Sequence, residues 1–208
     1  MRSLRYAQRQ SGFTLLELLI VILFIAMLVG FGLPALQQMI HRSRLEGAAR
    51  EAGVLCQATR LEAIKSSTPT GIRFDAGTSS MTAWIDTNAN GTIDDGEREL
   101  TERILPAQVT FSGPDAQPGL EGFQTDDEGA WITFNTDGSI VLDDDTCEID
   151  VHGNDPFGGY GCMRLGDQRS NFIQMSIGPM ATATVELRKW NGSEWHLFGE
   201  EGEPWEWY

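Results

Sequence analysis

Hydrophobic and polar residues follow three different patterns along the chain, and the first is an unbroken apolar run over residues 13–33. Glu17 is the single ionisable side chain among these 21 residues. A helix of that length spans about 30 Å, which matches the hydrocarbon core of a bilayer. We therefore predict a transmembrane helix over residues 13–34. A carboxylate within such a helix is costly and calls for a partner.

After Pro34 the apolar residues recur at steps of three and four, which is the period of one helix face. This spacing predicts that the helix continues over residues 35–68 with one buried side. Gly30, Gly32 and Pro34 weaken the backbone between the two halves, so a kink or local melting is expected there. The positions predicted to be buried are Leu45, Ala48, Ala49, Ala52, Leu55, Cys56, Thr59 and Ala63.

From Pro69 onward the period becomes two, in short runs separated by Gly, Pro, Asp and Asn clusters. Many short strands with turn residues between them predict an antiparallel sheet or β-sandwich over residues 69–208, so the fold class is α+β. Asp137-Gly138 and Asn191-Gly192 each separate two apolar runs and predict hairpins. The predicted strands are 72–74, 81–86, 99–105, 109–111, 131–135, 140–142, 147–151, 172–177, 182–190 and 194–198.

The residues before the apolar run determine its expected orientation. Arg2, Arg5 and Arg9 stand there without an acidic residue, and positively charged flanks stay on the cytoplasmic side of a membrane. The small residue that a processing peptidase would need lies before the run, at Gly12. A secretory signal has a shorter apolar core and carries its small-residue cleavage site after that core. The position of Gly12 and the length of the run therefore argue against a secretory signal.

Residues 12–19, GFTLLELL, resemble the class III signal of type IV pilins and type II secretion pseudopilins. The resemblance implies that residues 1–12 are a leader peptide, that a prepilin peptidase cuts between Gly12 and Phe13, and that the new amino terminus is methylated. Glu17 then occupies the fifth mature position, which is the acidic position of the family. The implied role of Glu17 is to neutralise the amine of Phe13 on an adjacent subunit.

Three further segments resemble the GspH/FimT group of minor pseudopilins and minor pilins, and their sequences are ATRLEAI, DTNANGTIDDGE and FNTDGS. The resemblance implies a structural subunit in the bacterial inner membrane, with a cytoplasmic N-terminus and a periplasmic C-terminal domain. Its implied function is a minor pseudopilin at or near the tip of a type II secretion pseudopilus. The alternative is a minor type IV pilin that primes pilus assembly, with a DNA-uptake role in some relatives. Other pseudopilins or pilins are the implied partners.

Catalysis finds no support in the sequence, since His41, His152 and His196 stand apart from any nucleophile motif, H-E-x-x-H or phosphate loop. We therefore do not expect an enzyme.

The acidic composition argues against nucleic acid as a partner. The formal net charge is −15, and residues from Pro69 onward hold 26 acids against 7 bases. Such a domain repels phosphate backbones. A local basic patch from Arg164, Arg169, Arg188 and Lys189 would be needed for DNA binding.

The segment 86–97 fits the twelve-residue calcium loop at every defined position. Gly91 would permit its sharp turn. The flanking residues alternate like strands, however, and an EF-hand requires a pair of helices. The segment therefore has two interpretations, a calcium site and a plain hairpin tip built from Asx turns. The ligands of a calcium site would be Asp86, Asn88, Asn90, the Thr92 carbonyl, Asp94 and Glu97.

Cysteine usage agrees with export. Cys147 and Cys162 lie 15 residues apart and could close a disulfide in an oxidising periplasm. Cys56 falls on the predicted buried face of the helix, where a lone cysteine acts as a small hydrophobic residue.

Aromatic residues concentrate at the C-terminal end of the sequence. Trp190 and Trp195 flank the second predicted hairpin, and Trp205, Trp207 and Tyr208 follow it. Tryptophan and tyrosine are enriched where proteins contact one another, so one hypothesis is that the last four residues contact a neighbouring subunit. The alternatives are a cover over a sheet edge and a frayed end.

Overall fold

A single helix, α1, runs from Leu15 to Ser66. The structure is a computed structural model that describes residues 13–94, 96–127, 129–143, 147 and 159–197. Helical structure continues without interruption through residues 30–34, so the alternative of local melting is wrong. The alternative of a kink stays a prediction. Proline removes one hydrogen bond from a helix, and the uninterrupted turns on both sides of this segment hold it together. The chain divides into two compact units after Ile40, and each is described separately.

In the second unit α1 buries the face that its sequence predicts. All eight predicted positions are buried, and Leu45, Ala52 and Ala63 are 0% exposed. Most of these side chains are small, which lets the helix backbone approach the strands closely. A β-carbon on Gly53 would lie 3.4 Å from Cγ1 of Val185.

Cys56 lies on the same buried face. It is 2% exposed, and burial raises the pKa of its thiol to about 12. A thiol of this kind stays protonated and unreactive at neutral pH. The prediction that Cys56 acts as a small core residue is therefore confirmed.

Antiparallel strands follow α1 and form two sheets, which confirms the predicted α+β class. The first sheet has the order β3-β2-β1-β7-β6, with β8 also paired to β7; the second has the order β12-β11-β10-β9-β4, with β5 also paired to β9. A short 3-10 helix at Pro114–Ala116 follows β4. The strands are β1 Thr70–Asp75, β2 Ser80–Ile85, β3 Arg98–Ile104, β4 Val109–Phe111, β5 Leu120–Glu121, β6 Gln124–Asp126, β7 Gly129–Phe134, β8 Ile140–Val141, β9 Gly161–Asp167, β10 Phe172–Gly178, β11 Thr184–Trp190 and β12 Trp195–Leu197.

The alternating pattern misses β5, β6 and β9. Strand β9 lies inside the second sheet between β4 and β10, and six of its seven residues are buried. A strand buried on both faces loses the alternation of polar and apolar residues. Gly161 and Gly166 also hide it, yet both are required, because β-carbons there would overlap Phe123 and Ser112 respectively. The predicted strand 147–151 lies outside the described residues except for Cys147, which bridges to Tyr160.

Aromatic rings join the two sheets through one core. The ring of Phe74 in β1 lies 6.2 Å from that of Phe111 in β4 and 4.9 Å from that of Phe123, measured between centroids. The first of these pairs has the edge-to-face geometry that aromatic rings prefer. The contact therefore ties a strand of the first sheet to a strand of the second.

Both predicted hairpins are confirmed. The Asp137-Gly138 turn connects β7 to β8, and the Asn191-Gly192 turn connects β11 to β12. Trp190 and Trp195 face each other across the second hairpin, with ring centroids 5.2 Å apart. In the first hairpin, the Ser139 hydroxyl and then its N–H hold the pKa of Asp137 below its usual value.

Two hydrogen bonds attach the end of α1 to the first sheet. The Thr70 hydroxyl of β1 donates to the Thr59 carbonyl at 3.0 Å. Arg60 Nε donates to the Gly138 carbonyl at 2.8 Å, in the turn between β7 and β8. The last turns of the helix are therefore held in register with the sheet.

Close packing of β1 against β2 gives a test of the core. We expect Gly71→Ala to destabilise the protein by about 1–3 kcal/mol, because a β-carbon at Gly71 would overlap the ring of Trp84, which is 0% exposed. Chemical unfolding of the full chain in detergent, followed by tryptophan fluorescence, measures the change.

Gly47→Ala is the matched control. Gly47 lies on the exposed side of α1, where a β-carbon would meet nothing within 4 Å, so we expect stability to stay the same or rise by up to about 1 kcal/mol. Equal unfolding midpoints for Gly71→Ala and the unsubstituted chain would contradict the packing of Trp84 on β1.

Candidate functional site

The first turn of α1 carries the residues that the sequence assigns to processing and assembly. Gly12 lies outside the described residues, and Phe13 is 85% exposed. Thr14 caps the helix, because its hydroxyl accepts the Glu17 N–H at 3.2 Å. The spacing from threonine to glutamate is that of a capping box, which is a sequence signal for Thr14 that our prediction missed.

Glu17 is exposed in the first turn of α1. A carboxylate at this position is favoured by the partial positive charge of the helix N-terminus. Among the described residues, no side chain forms an ion pair with Glu17. The carboxylate is therefore available to a group outside the described part of the chain.

The helical surface beyond Glu17 is apolar on all sides. Its side chains from Leu18 to Leu33 are all exposed. This helix is long and apolar enough to cross a membrane. Each large apolar side chain contributes about 1.5–3 kcal/mol when it leaves water, so the surface is stable only against lipid or other helices.

The loop between β2 and β3 holds the predicted calcium ligands in a network of hydrogen bonds. Asp86 is 1% exposed, and its carboxylate accepts the backbone N–H groups of Asn90 at 3.1 Å and Gly91 at 2.8 Å. Gly91 has a φ of +81°, a backbone conformation that favours glycine. It is the residue that was predicted to permit the sharp turn of this loop. Glu97 accepts the N–H of Thr87 at 2.7 Å, so the carboxylate at the end of the loop closes onto its beginning.

The side-chain amides of the loop are held by hydrogen bonds at both their oxygen and their nitrogen. Asn88 Oδ1 accepts the N–H of Asn90, and Asn90 Oδ1 accepts the N–H of Thr92 at 2.9 Å. Their Nδ2 groups donate to Asp94 Oδ2 at 2.7 and 2.6 Å. Calcium needs oxygen ligands that converge on the ion. These hydrogen bonds form a closed Asx turn, as in the hairpin-tip interpretation. Calcium binding by this loop stays a prediction.

Within the described ranges, no three His, Cys, Asp or Glu side chains are grouped so that they could hold a metal ion.

The same loop covers the outer face of the first sheet. Thr133 of β7 donates its hydroxyl to the Gly91 carbonyl at 3.4 Å. Gly71 pairs with both Trp84 and Thr133, which places the three residues in one row across the sheet. Trp84 is 0% exposed although it lies on the face opposite the core residue Ala83. The loop thus shields an indole ring that would otherwise face water.

Two family profiles match the sequence. The family described as "Type II transport protein GspH" matches residues 48–158, which is more than half of the chain. The chain belongs to the GspH family. The profile described as "Prokaryotic N-terminal methylation motif" matches residues 7–33. The resemblance that we identified from residues 12–19 and from the three internal segments is confirmed.

Family membership has consequences for processing and location. The methylation motif implies cleavage by a prepilin peptidase and assembly with other pseudopilins. Together with the apolar helix, it indicates a membrane-anchored protein with a soluble C-terminal domain. The family consists of structural subunits of the pilin type.

Individual relatives are also pilin-like. The pilin-like protein PilA1 of Thermus thermophilus is 38% identical over 89 residues, which are 42% of this chain and 56% of the relative. The chain thus matches only about half the length of that protein. Among solved structures, the minor pseudopilin EpsH from the type 2 secretion system of Vibrio cholerae is similar, with a TM-score of 0.44 at 12% identity over 69% of this chain and 95% of EpsH.

In this GspH-family chain the structure pairs Cys147 with Cys162, and their Cα atoms lie 6.0 Å apart. The N–H of Cys147 donates to the Tyr160 carbonyl at 3.0 Å beside the bond. A disulfide that closes a loop of this length stabilises by about 3 kcal/mol, mainly by restricting the unfolded chain. Formation of the bond in the cell stays a prediction.

The four basic residues considered for DNA binding do not form an exposed patch. Arg164, Arg188 and Lys189 are at most 9% exposed. Arg164 Nη1 lies 2.6 Å from Glu121 Oε2, and its Nε donates to Gln174. Sequence reasoning counted these charges as surface groups because it could not see that six of the seven residues of β9 are buried and that Arg188 and Lys189 are the buried positions of β11. The hypothesis of a local basic stripe is therefore wrong.

The acidic loop yields a second test. We expect Asp86→Ala to destabilise the full chain in detergent by about 1–3 kcal/mol, because two partly buried backbone N–H groups lose their acceptor. We also expect millimolar calcium to leave the unfolding midpoint of the unsubstituted chain unchanged. Chemical unfolding with and without calcium measures both effects.

Glu102→Ala, at an exposed position of β3, is the control and is expected to change stability by less than about 0.5 kcal/mol. A calcium-dependent rise in the midpoint that Glu97→Gln abolishes would contradict the closed-turn interpretation and support the calcium site.

Proposed function

We propose that this chain is a minor pseudopilin of a type II secretion system, inserted at or near the tip of the periplasmic pseudopilus. The observation that carries the proposal is that one chain holds both the GspH-family match, over residues 48–158, and the methylation motif, at residues 7–33. A single chain thus joins a membrane-stored, fibre-forming helix to a sheet domain of the minor-subunit type. Its function is mechanical, because assembly of the fibre drives export.

Assembly in this proposal starts in the inner membrane, with the N-terminus cytoplasmic and the sheet domain periplasmic. Removal of residues 1–12 exposes the amine of Phe13. Glu17 lies one helical turn further along and is exposed, without an ion-pair partner among the described residues. Opposite charges within hydrocarbon favour pairing over separate burial. Glu17 therefore pairs with the methylated amine of Phe13 on an adjacent subunit.

The second candidate is a minor type IV pilin that primes pilus assembly. The observation in its favour is the 38% identity to a protein named as pilin-like over 89 residues. Both candidates use the same helix and the same processing, so the first 33 residues do not separate them. A DNA-uptake role within this candidate lacks an exposed basic stripe, since three of its four proposed basic residues are buried.

Deletion of the gene distinguishes the two machines. We expect loss of secreted proteins from the culture medium with normal piliation and twitching, because a pseudopilus without its minor subunit fails to initiate. Secretion assays and electron microscopy of the same strain measure both outcomes. Loss of pili with normal secretion would contradict the proposal and favour the minor pilin.

Glu17→Ala tests the assembly contact. Leaving an uncompensated charge in a buried pair costs about 3–5 kcal/mol, so we expect incorporation into fibres to fall by about a hundredfold or more. Membrane insertion and leader cleavage should stay normal, since the apolar run and the cleavage site are unchanged. Quantitative immunoblots of sheared fibres and of membranes measure the ratio.

Glu62→Ala provides the control on the same helix. Glu62 forms an exposed pair with Lys65 at 3.1 Å, and such pairs are worth about 0–1 kcal/mol. Incorporation should therefore stay within a fewfold of the unsubstituted chain. Normal incorporation of Glu17→Ala would exclude the proposed pairing.

A further inference from the structure

Strand β3 is an open edge of the first sheet. Within the described part of the chain it pairs with β2 alone, and five of its seven residues are exposed. The Leu105 N–H donates to the Ser79 carbonyl at 2.8 Å, which is a bond toward the β2 side. Bonding alternates along an antiparallel ladder, and the register is regular over this stretch, so Glu102 and Ile104 turn their backbone groups away from β2. These N–H and C=O groups can pair with a further strand.

The carbonyl of Glu102 gives a second indication of this direction. It accepts Arg103 Nη1 at 3.1 Å, which is a side-chain bond. A carbonyl oxygen has two lone pairs, so it can accept one more N–H. The same guanidinium reaches α1, where its Nε lies 2.9 Å from Glu51 Oε1. Arg103 therefore holds β3 beside the helix and leaves acceptor capacity at the edge of the sheet.

An apolar groove lies between α1 and β3. Its volume is about 340 Å³, which is within the range of ligand pockets, about 300–1,000 Å³. On the helix side it is lined by Leu55, which is buried, and by Val54 and Ala58, which are exposed. Thr101 and Arg103 line the side formed by β3. Aliphatic side chains that enter this groove leave water and cover the exposed apolar surface of the helix.

The opposite face of β3 is acidic. Glu99 and Glu102 pair with Trp84 and Thr82 of β2, which places both carboxylates on the face away from α1. Both residues are exposed, and neither forms an ion pair with a described side chain. Opposite charges on neighbouring strands attract and like charges repel. This face therefore favours lysine or arginine on an added strand.

The two faces of β3 together specify one sequence pattern. Side chains of a strand point alternately to its two faces. A strand added to β3 thus puts every second side chain into the groove and the others beside Glu99 and Glu102. The groove accepts aliphatic side chains, and the carboxylates attract basic ones. The matching strand is one in which apolar and basic residues alternate.

Strand β3 of a second copy does not match this pattern. In an antiparallel pair of two β3 strands the acidic faces of both copies would lie on the same side, and like charges there repel. The two-fold axis of such a pair is normal to the sheet. Because α1 lies along the sheets, with buried residues from Leu45 to Ala63, this axis would also reverse one of the two helices. Two helices that enter one membrane by the same end do not run in opposite directions.

We propose that the edge of β3 and the groove beside it bind an extended segment of a neighbouring fibre subunit of another kind, in which apolar and basic residues alternate. The segment adds a strand to the first sheet. Its apolar side chains cover Val54 and Ala58, and its basic side chains pair with Glu99 and Glu102. The inference rests on the assembly with other pseudopilins that family membership implies, and it is independent of whether the fibre serves secretion or a pilus.

A peptide tests the chemistry of this surface on the full chain, purified in detergent. The probe is a fluorescent peptide of seven residues, the length of β3, with the sequence KVKVKVK. The comparison peptide KKKKVVV keeps the charge and the composition but not the alternation. By fluorescence anisotropy we expect KVKVKVK to bind at least about tenfold more tightly, because only this peptide presents one apolar and one basic face. Equal affinities would overturn the proposal.

Two substitutions of Glu102 locate the binding. Glu102→Pro removes an outward N–H and keeps the bonds to β2, since proline is tolerated at such edge positions, and it should weaken binding of KVKVKVK at least about tenfold. Glu102→Lys should weaken it about fivefold through repulsion. Glu194→Lys is the matched control, because it changes the net charge equally at a side chain that is 70% exposed in the second sheet. Equal effects of Glu102→Lys and Glu194→Lys would overturn the proposed surface.

Photo-cross-linking in cells identifies the source of the segment. Ile104 is 69% exposed at the edge of β3, and a photoreactive phenylalanine derivative in its place reaches an added strand. We expect cross-links to another fibre subunit, at a segment in which apolar and basic residues alternate, and none to that segment from the same derivative at Leu197 in the second sheet. Mass spectrometry of the products identifies both chains. No cross-link from position 104, or cross-links only to a second copy or to exported proteins, would overturn the proposal.

Discussion

The packing of the domain depends on the close approach of α1 to the strands. Ala48, Ala49, Ala52 and Gly53 line the side of the helix that enters the core. Small side chains there let one helix backbone approach the strands while Phe74, Phe111 and Phe123 fill the space between the sheets. Larger residues on α1 would separate the sheets, because a close-packed interior tolerates little added volume.

The division of labour along α1 follows from the same sequence. Up to Ile40 the side chains that the structure describes leave the helix without a buried side, and apolar residues predominate among them, which suits a surface that is surrounded by lipid or by other helices. From His41 onward one side is committed to the sheets. Family membership explains why a single helix carries both kinds of surface: a GspH-type subunit needs one end for the fibre and the other for its domain.

Much of this organisation can be predicted from sequence, because periodicity reports local geometry. The buried helix face was predictable because Leu45, Ala49 and Cys56 follow the helical repeat, and both hairpins were predictable because their turns contain Asp-Gly and Asn-Gly. Strand β9 was not, since a strand buried on both faces has no alternation, and its two glycines are explained only by the neighbours that they contact. A linear pattern also does not show whether a charged residue is buried. For this reason Arg164 and Arg188 were counted as surface residues, although both are buried in the second sheet.

The acidic loop marks the limit of motif reasoning. Its residue types match a calcium loop at each position, and the structure does bring Asp86, Asp94 and Glu97 into one loop. What the sequence does not show is that oxygens of Asp86, Asn88 and Asn90 accept backbone N–H groups of the loop itself. A motif shows which oxygen ligands are present, whereas the folded structure shows which of these oxygens already accept a hydrogen bond.

The bond between Cys147 and Cys162 has a consequence for the timing of maturation. Disulfides form in oxidising compartments and are kept reduced in the cytosol. Cys162 lies in β9, an inner strand of the second sheet, so the cross-link joins Cys147 to the interior of that sheet. A subunit made in the cytosol would form this disulfide only after translocation. The redox state of one pair of sulfurs would then record which side of the membrane the domain has reached.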